Sequence, residues 1–486
     1  MKSPILGSSY VARSVNAADN RMVNLFPEIV PEGGKESAFL QRAPGMSDSG
    51  LVPGTLLNIS SMLSYKYSGI DYLVVSNGNQ IYTSSDGAAL VYRGVVGASS
   101  SLKTTMAHND EQVFITDIVS GTGWVMDKGS FAITQELGPA FGDNIVVRSV
   151  VYLDGYFVFD QPESNRIYVS DLLDGTTVNP LAWANADASP DLVKAIAALN
   201  GELWVFGTSS TEVWSNVGTT PFPFAPIQGS FTETGCAAHR SVATLDNSLF
   251  WLGQDSRGQG VVYRTNGYRA ERVSTHAIEW QIQRYADISD AIAYTYQQDG
   301  HAFYVITFPT GNATWVYDVA TQAWHERASW DGVNFNRHIS NCQAFYEGNT
   351  LVGCTDGTIS ILSTDEYKDV STTIKWLRSW RALPTGQNNL KRTAHHSLQL
   401  DLNSSVDDDD APNPEVSLRW SDDGGHTWND PRSAYMSAIA SPNTRVIFRR
   451  LGMTTSLRDR VYEISGTSAV PVYVMGAELI LSPTDA

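Results

Sequence analysis

The sequence predicts an all-β protein: a β-propeller of about seven blades, preceded by an N-terminal arm and followed by a C-terminal β-sandwich-like domain. Three observations predict it. The 486 residues include 39 Gly, 21 Tyr and 13 Trp but only 17% charged residues, a balance of turns and half-buried aromatic strands that is charge-poor for a helical chain. A pair of apolar-aromatic strands recurs seven times. That period breaks near Trp376, where short alternating strands of a different pattern begin.

The arm, residues 1–55, contains no copy of the repeat. In RSVN…RMVNLFPE, Val15, Val23, Leu25 and Phe26 are apolar, while Asn16, Asn24 and Pro27 disfavour a regular helix. Such a segment suits docking on another surface better than building its own core. It is expected at the junction of the two domains or on a neighbouring subunit; a strand closing the first blade is the alternative.

The propeller is assigned to residues 56–369. Each repeat opens at a polar or Gly turn and continues into a strand: DYLVVS, QVFITD, GYFVFD, ELWVFG, SLFWLG, AFYVIT and TLVGCT. The first large apolar residues are Tyr72, Val113, Tyr156, Leu203, Leu249, Phe303 and Leu351, at intervals of 41 to 54 residues. A second strand follows each, from QIYTS at Gln80 to TISILS at Thr358. Short strands at this period are the mark of propeller blades, which bury their faces on one another and lose their open ends in a ring. A stacked pair of sheets without a ring is the competing arrangement. The longest interval contains THAIEWQIQRYADISDA, Thr275 to Ala291, whose apolar spacing predicts one inserted helix. Cys342 and Cys354 either face each other across a hairpin or are two small buried thiols.

The C-terminal domain is assigned to residues 370–486. SDDGGHTW matches the Asp-box pattern through Ser421, Asp423, Gly425, Thr427 and Trp428. Physically this is a hairpin turn: the carboxylate accepts backbone N–H bonds, the glycine permits positive φ, and the tryptophan anchors the turn from beneath. A stabilising turn is the expected role, ahead of a sugar site. The run Asp407–Asp410 reads as a solvated loop tip and lacks the spaced ligands of a calcium loop. Arg445, Arg449, Arg450, Arg458 and Arg460 make a local basic surface, either a possible interface to an acidic or phosphate partner or an internal arginine–carboxylate ladder.

Charge narrows the function. The chain has 33 basic and 51 acidic residues, a net of −18, so the bulk of its surface is unsuited to gripping nucleic acid or an anionic membrane. Residues 370–486 carry 12 basic and 13 acidic residues, which leaves a net of −17 on residues 1–369. No apolar run approaches a membrane span, the N-terminus lacks the apolar core of a signal peptide, and three cysteines are too few for a disulfide framework. The chain is expected to fold in a reducing cytoplasm.

No catalytic constellation stands out: there is no G-x-S-x-G elbow, P-loop, H-E-x-x-H or C-x-x-C. His395 and His396 are adjacent, so a strand points them to opposite faces. No catalytic, metal or cofactor residue is assigned. Scattered acids leave a glycosidase pair at the propeller centre as an alternative.

The opening pieces Arg13-Ser14-Val15-Asn16, Arg21-Met22-Val23-Asn24-Leu25-Phe26-Pro27-Glu28 and the Ala43-Pro44-Gly45 turn resemble the tail hub, or nozzle, proteins of short-tailed bacteriophages, also called packaged-DNA stabilisation proteins. LRWSDDGGHTW and FRRLGM…RDRVYEIS resemble the same family near the C-terminus. The resemblance implies a non-enzymatic virion part: a homo-hexameric ring below the head-to-tail adaptor, with double-stranded DNA passing through its lumen. A tail needle or plug closes the distal end, and tailspikes or fibres attach at the side. An acidic wall would let DNA slide without sticking. A propeller glycosidase of the sialidase type and a carbohydrate-binding propeller are the competing readings.

Overall fold

A computed structural model of the protein describes residues 1–13, 19–30, 37–97, 103–138, 145–255, 258–383, 392–403, 414–436, 445–455 and 460–483. Seven small antiparallel sheets form a closed ring. The first blade comprises Ile59–Tyr67, Ile70–Asn77, Gln80–Ser85 and Val91–Val95, paired in sequence order. The next five blades lie within 104–137, 150–185, 193–226, 235–272 and 292–326. The seventh takes three strands from 340–363 and its fourth from the arm, Gly45–Asp48, which pairs antiparallel with Ile359–Ser363.

The repeated pair legible in the sequence is the second and third strand of each blade. These strands are apolar on both faces because each blade is sandwiched between two neighbours. In the first blade, Val74 packs with Val113 and Ile115 of the second, whereas Leu73 and Val75 pack with Ala344 and Leu351 of the seventh. Successive side chains of a strand point to opposite faces, so a continuous apolar run serves two interfaces. Among the described residues every neighbouring pair of blades encloses one such cluster, including the seventh and the first. A stacked pair of sheets cannot do this.

Polar contacts close the same ring nearer its axis. The Ser60 and Thr104 hydroxyls bond at 2.8 Å, Arg148 Nη2 donates to Val193 O at 2.7 Å, and Thr295 Oγ1 donates to Thr244 O at 2.8 Å. Tyr294 OH and Ser340 Oγ bond at 2.7 Å, and Asn341 Nδ2 donates to Asn58 Oδ1 at 2.7 Å.

The inserted helix is shorter than the sequence pattern predicts: it spans His276–Ile282, with the Thr275 side chain accepting from Ile278 N. Beyond it the chain turns, because Tyr285 leaves the helical path to pack on Phe308 and accept a hydrogen bond from Trp315 Nε1. No helix among the described residues is long and apolar enough to cross a membrane. Cys342 pairs in register with Gly353 and Cys354 with Ser340, so the two cysteines are not opposite each other. All three cysteines are free and buried.

The C-terminal domain is two facing sheets, each completed by the arm. One contains Thr393–Asn403, Val446–Met453 and Tyr473–Pro483, extended by Ala38–Arg42 and Leu25–Ile29, with Lys2–Ser3 against its side. The other contains Trp376–Arg381, Glu415–Ser421, Arg432–Tyr435 and Val461–Gly466. Met22–Val23 bridges this second sheet to the outer strand of the sixth blade. The shared core buries Ile5, Met22 and Leu25 of the arm among Trp376, Trp380, Leu398 and Tyr462.

Gly45 shows how tightly the seventh blade is closed. A Cβ there would lie 2.5 Å from Glu366 O and 2.6 Å from Lys368 O. Gly45→Ala must push the closing strand off its neighbour and should cost about 1–3 kcal/mol. A lowered calorimetric Tm relative to the unsubstituted protein is the expected result; an unchanged Tm would show that the strand is not seated as described.

Candidate functional site

Two regions could carry function: the arm at the domain junction and the axis of the ring. At the junction, Asn24 adopts a left-handed backbone (φ 53°), a conformation asparagine tolerates better than most residues. Its Nδ2 donates to Ala328 O and Lys375 O, each at 2.8 Å, and its Oδ1 accepts from Ala328 N at 2.9 Å. One side chain therefore replaces a missing stretch of sheet ladder between the sixth blade and the C-terminal domain. Arg21 forms a two-pronged ion pair with Glu326, both contacts 2.8 Å, and stacks over Phe335. Phe26 is buried against His301, Phe303 and His325. Pro27 sits in the edge strand Leu25–Ile29, where a residue without an N–H is tolerated, and Glu28 is half-buried beside it. Arg13 lies exposed near Tyr10 and Trp280. Ser14 and Asn16 fall outside the described residues.

Residues not singled out from the sequence tighten this junction. Arg42 is buried and donates to four backbone carbonyls, those of Ser468, Val470, Tyr367 and Ile374. Burial lowers its pKa to about 10, so it remains charged at neutral pH. Arg327 donates to Pro44 O and Tyr296 OH, and Arg378 donates to Ile5 O at 2.7 Å. Of these only Arg42, in AFLQRAPGM, stands as a lone charge in a largely apolar stretch, the sequence signal that could have found it.

The Asp-box turn is a self-contained hydrogen-bond knot. Asp423 Oδ1 accepts from the backbone N–H of His426 and Thr427 at 3.0 and 2.8 Å, and its Oδ2 accepts from Thr427 Oγ1 at 2.6 Å. Ser421 Oγ donates to Asp423 Oδ1 and accepts from Gly425 N. These donors hold the Asp423 carboxyl well below the usual carboxylate range. Gly425 has φ 99°, and Trp428 Nε1 donates to Gly425 O while its ring lies under Arg419. Both carboxylate oxygens of the aspartate are used inside the turn.

The basic surface divides. Arg460 is internal: it pairs with Asp422 through two bonds of 2.6 and 2.8 Å and donates to Leu451 O. Arg445, Arg449 and Arg450 are exposed along the edge strand Val446–Met453 and just before it. Arg432 donates to the carbonyls of Arg449 and Arg450, each at 3.2 Å, which blunts that open edge. Arg458 and the run Asp407–Asp410 fall outside the described residues.

On the ring axis the inner strands enclose a cavity of about 490 Å³. Its wall is mainly hydroxyl, amide and small apolar side chains, including Ser61, Thr105, Thr244 and Gln343, with no carboxylate among the lining residues. Arg240 of the fifth blade crosses it, its Nη2 donating to Ser60 O of the first blade at 2.5 Å. A bond between blades so far apart around the ring obstructs the opening. No group of three or more potential metal ligands occurs among the described residues.

Comparison with known families gives two matches. Residues 1–365 match the family described as bacteriophage P22 Gp10, beta-propeller, and residues 376–481 match bacteriophage P22 Gp10, beta-sandwich. A search of curated protein sequences found no match. Among solved structures, virginiamycin B lyase from Staphylococcus aureus aligns at 10% identity and TM-score 0.43, over 64% of this chain and 98% of that one. The WD40 beta propeller domain of Doa1 aligns at 10% identity and TM-score 0.41, over 66% and 97%. Similarity at this level carries no argument about activity.

Two buried histidines set an acid limit on the structure. Burial pushes His325 and His395 each down to about 3, so both are neutral when folded at pH 7. Unfolding restores an imidazole pKa of about 6.5. Stability is therefore complete above that pH and declines as pH falls toward the folded pKa, by up to about 1.4 kcal/mol per pH unit for each group. His395→Gln should flatten this decline between pH 6 and 4. Tm measured against pH checks it; an unaltered slope would exclude His395 as a contributor.

Proposed function

The chain belongs to the bacteriophage P22 Gp10 family, and from that premise we propose that this structural phage tail protein is a tail hub, or nozzle. Six copies form a ring below the head-to-tail adaptor, extend the DNA channel, retain the packaged genome and give it a route out. The observation that carries the reading is the joint match of propeller and sandwich, reaching from residue 1 to 481, on a chain whose arm joins those same two domains.

The geometry of one subunit supports a channel built between copies. A cavity of about 490 Å³ crossed by Arg240 does not admit a duplex, so the route lies outside the propeller axis. The net charge of −17 on residues 1–369 suits a wall that repels phosphates. A basic wall would hold DNA through counterion-releasing contacts. Arg445, Arg449 and Arg450 offer an exposed surface for the adaptor, the needle or plug, the tailspikes or fibres, or another copy. The protein acts in the virion tail after assembly in the host cytoplasm.

A non-enzymatic role fits the site. The single Asp box stabilises a turn in the sandwich, and the axial cavity has no carboxylate in its wall. Neither observation favours a glycosidase or a lectin.

Negative-stain imaging of virions or of the assembled protein tests the reading. A sixfold ring in a short tail is expected; a monomer with glycan turnover would overturn it. A lumen lined mainly by lysine and arginine would refute the repelling wall. Deleting residues 1–30 should prevent incorporation into virions, because the deletion removes Met22, Leu25 and Phe26 from two cores. Particles that assemble normally with the truncated chain would count against the arm's role.

A further inference from the structure

Arg240 is poorly matched to its surroundings. It lies in the short turn His239–Ser241 and projects into the axial cavity. Its one hydrogen bond among the described residues is from Nη2 to Ser60 O; Nε and Nη1 have no protein partner there. No carboxylate among the described residues pairs with it, in a chain with 51 acidic residues. Other interior arginines are better served. Arg42 has four carbonyls, Arg148 has Asp160, and Arg460 has Asp422. Arg378 is also short of partners, but it is fully enclosed, whereas Arg240 has open space beside it.

The field around the cavity has one dominant sign. Lys103, Arg148 and Lys194 stand close enough to act electrostatically on His239, alongside Arg240. With burial, these cations push His239 down to about 3, so it adds no charge of its own. Arg148 is neutralised by Asp160, and Lys103 is close enough to Asp287 to lower the pKa of its carboxyl. Arg240 remains in the cavity wall among hydroxyls and amides, with Lys194 acting on the adjacent His239. Arg240 is partly exposed, with its Nε and Nη1 edge open to the cavity, and an anion placed there gains charge-assisted hydrogen bonds to a guanidinium that has no counter-charge among the described residues.

We propose that the axial cavity is a binding site for a small free oxyanion of the phosphate class. The anion accepts hydrogen bonds from the Nε and Nη1 edge of Arg240, with Lys194 adding long-range attraction and wall hydroxyls and amides completing its shell. This site is independent of the tail-hub reading, since a single subunit contains all of it.

Calorimetric titration of the full-length protein with inorganic phosphate, at matched ionic strength, tests it. One saturable site per chain is expected, with a Tm that rises with phosphate concentration. Arg240→Met should abolish both effects. Circular dichroism establishes whether that variant folds. If it does not, Lys194→Met, which keeps the bridge to Ser60, should weaken phosphate binding several-fold. The proposal is overturned by absence of saturable binding in the unsubstituted protein, by full binding in folded Arg240→Met, or by undiminished binding in Lys194→Met. Equal saturation by acetate would overturn the assignment to the phosphate class.

Discussion

The structure depends on one constraint: two domains are completed by the same N-terminal segment. Lys2–Ser3, Leu25–Ile29 and Ala38–Arg42 belong to a sheet of the C-terminal sandwich, and Gly45–Asp48 is the outer strand of the seventh blade. The chain starts in the sandwich, closes the propeller, runs round the ring and returns to the sandwich. Neither core is whole until segments more than 300 residues apart have met. A propeller has no free end only when its last blade is finished, and here the finishing strand is tied to a second domain. The strand that closes the ring and the strands that complete the sandwich thus belong to one continuous segment.

Polar groups do much of the docking. Asn24 and Arg21 flank the two-residue strand that joins the sixth blade to the sandwich, Arg42 and Arg327 lie close to it, and each turns backbone carbonyls or a carboxylate into a specific contact. Buried donors of this kind are costly when a partner is missing, so they discriminate strongly between the docked arrangement and any slipped one. Apolar contacts alone, such as Phe26 in its ring of histidines and Phe303, would tolerate more variation in position.

For a tail component, such stitching has a mechanical consequence. A segment woven through both domains resists their parting under load better than a single linker does. On the proposed reading, the acidic balance of residues 1–369 would serve a repelling wall and the nearly neutral C-terminal part a contact surface. The axis of the propeller is crossed by Arg240.

The propeller was legible in the sequence because its middle strands are buried on both faces, and that requirement writes an unbroken apolar run such as LVVS or FVFD at each repeat. The inner strands were not legible. Ser60, Thr104 and Ala197 line a polar axis, and short or polar residues there leave no periodic signature. Outer strands such as Val91–Val95 are exposed on one side and equally indistinct. The Asp box could be read locally because the side-chain hydrogen bonds of Ser421, Asp423 and Trp428 that form the turn lie within Ser421 to Trp428. Composition, charge balance, blade number and that turn follow from residues close together in the chain. The partner of Gly45–Asp48, the carbonyls around Arg42 and the bridge from Arg240 to Ser60 do not. Each joins positions hundreds of residues apart, or on nearly opposite blades, and only closure of the ring brings them within hydrogen-bond distance.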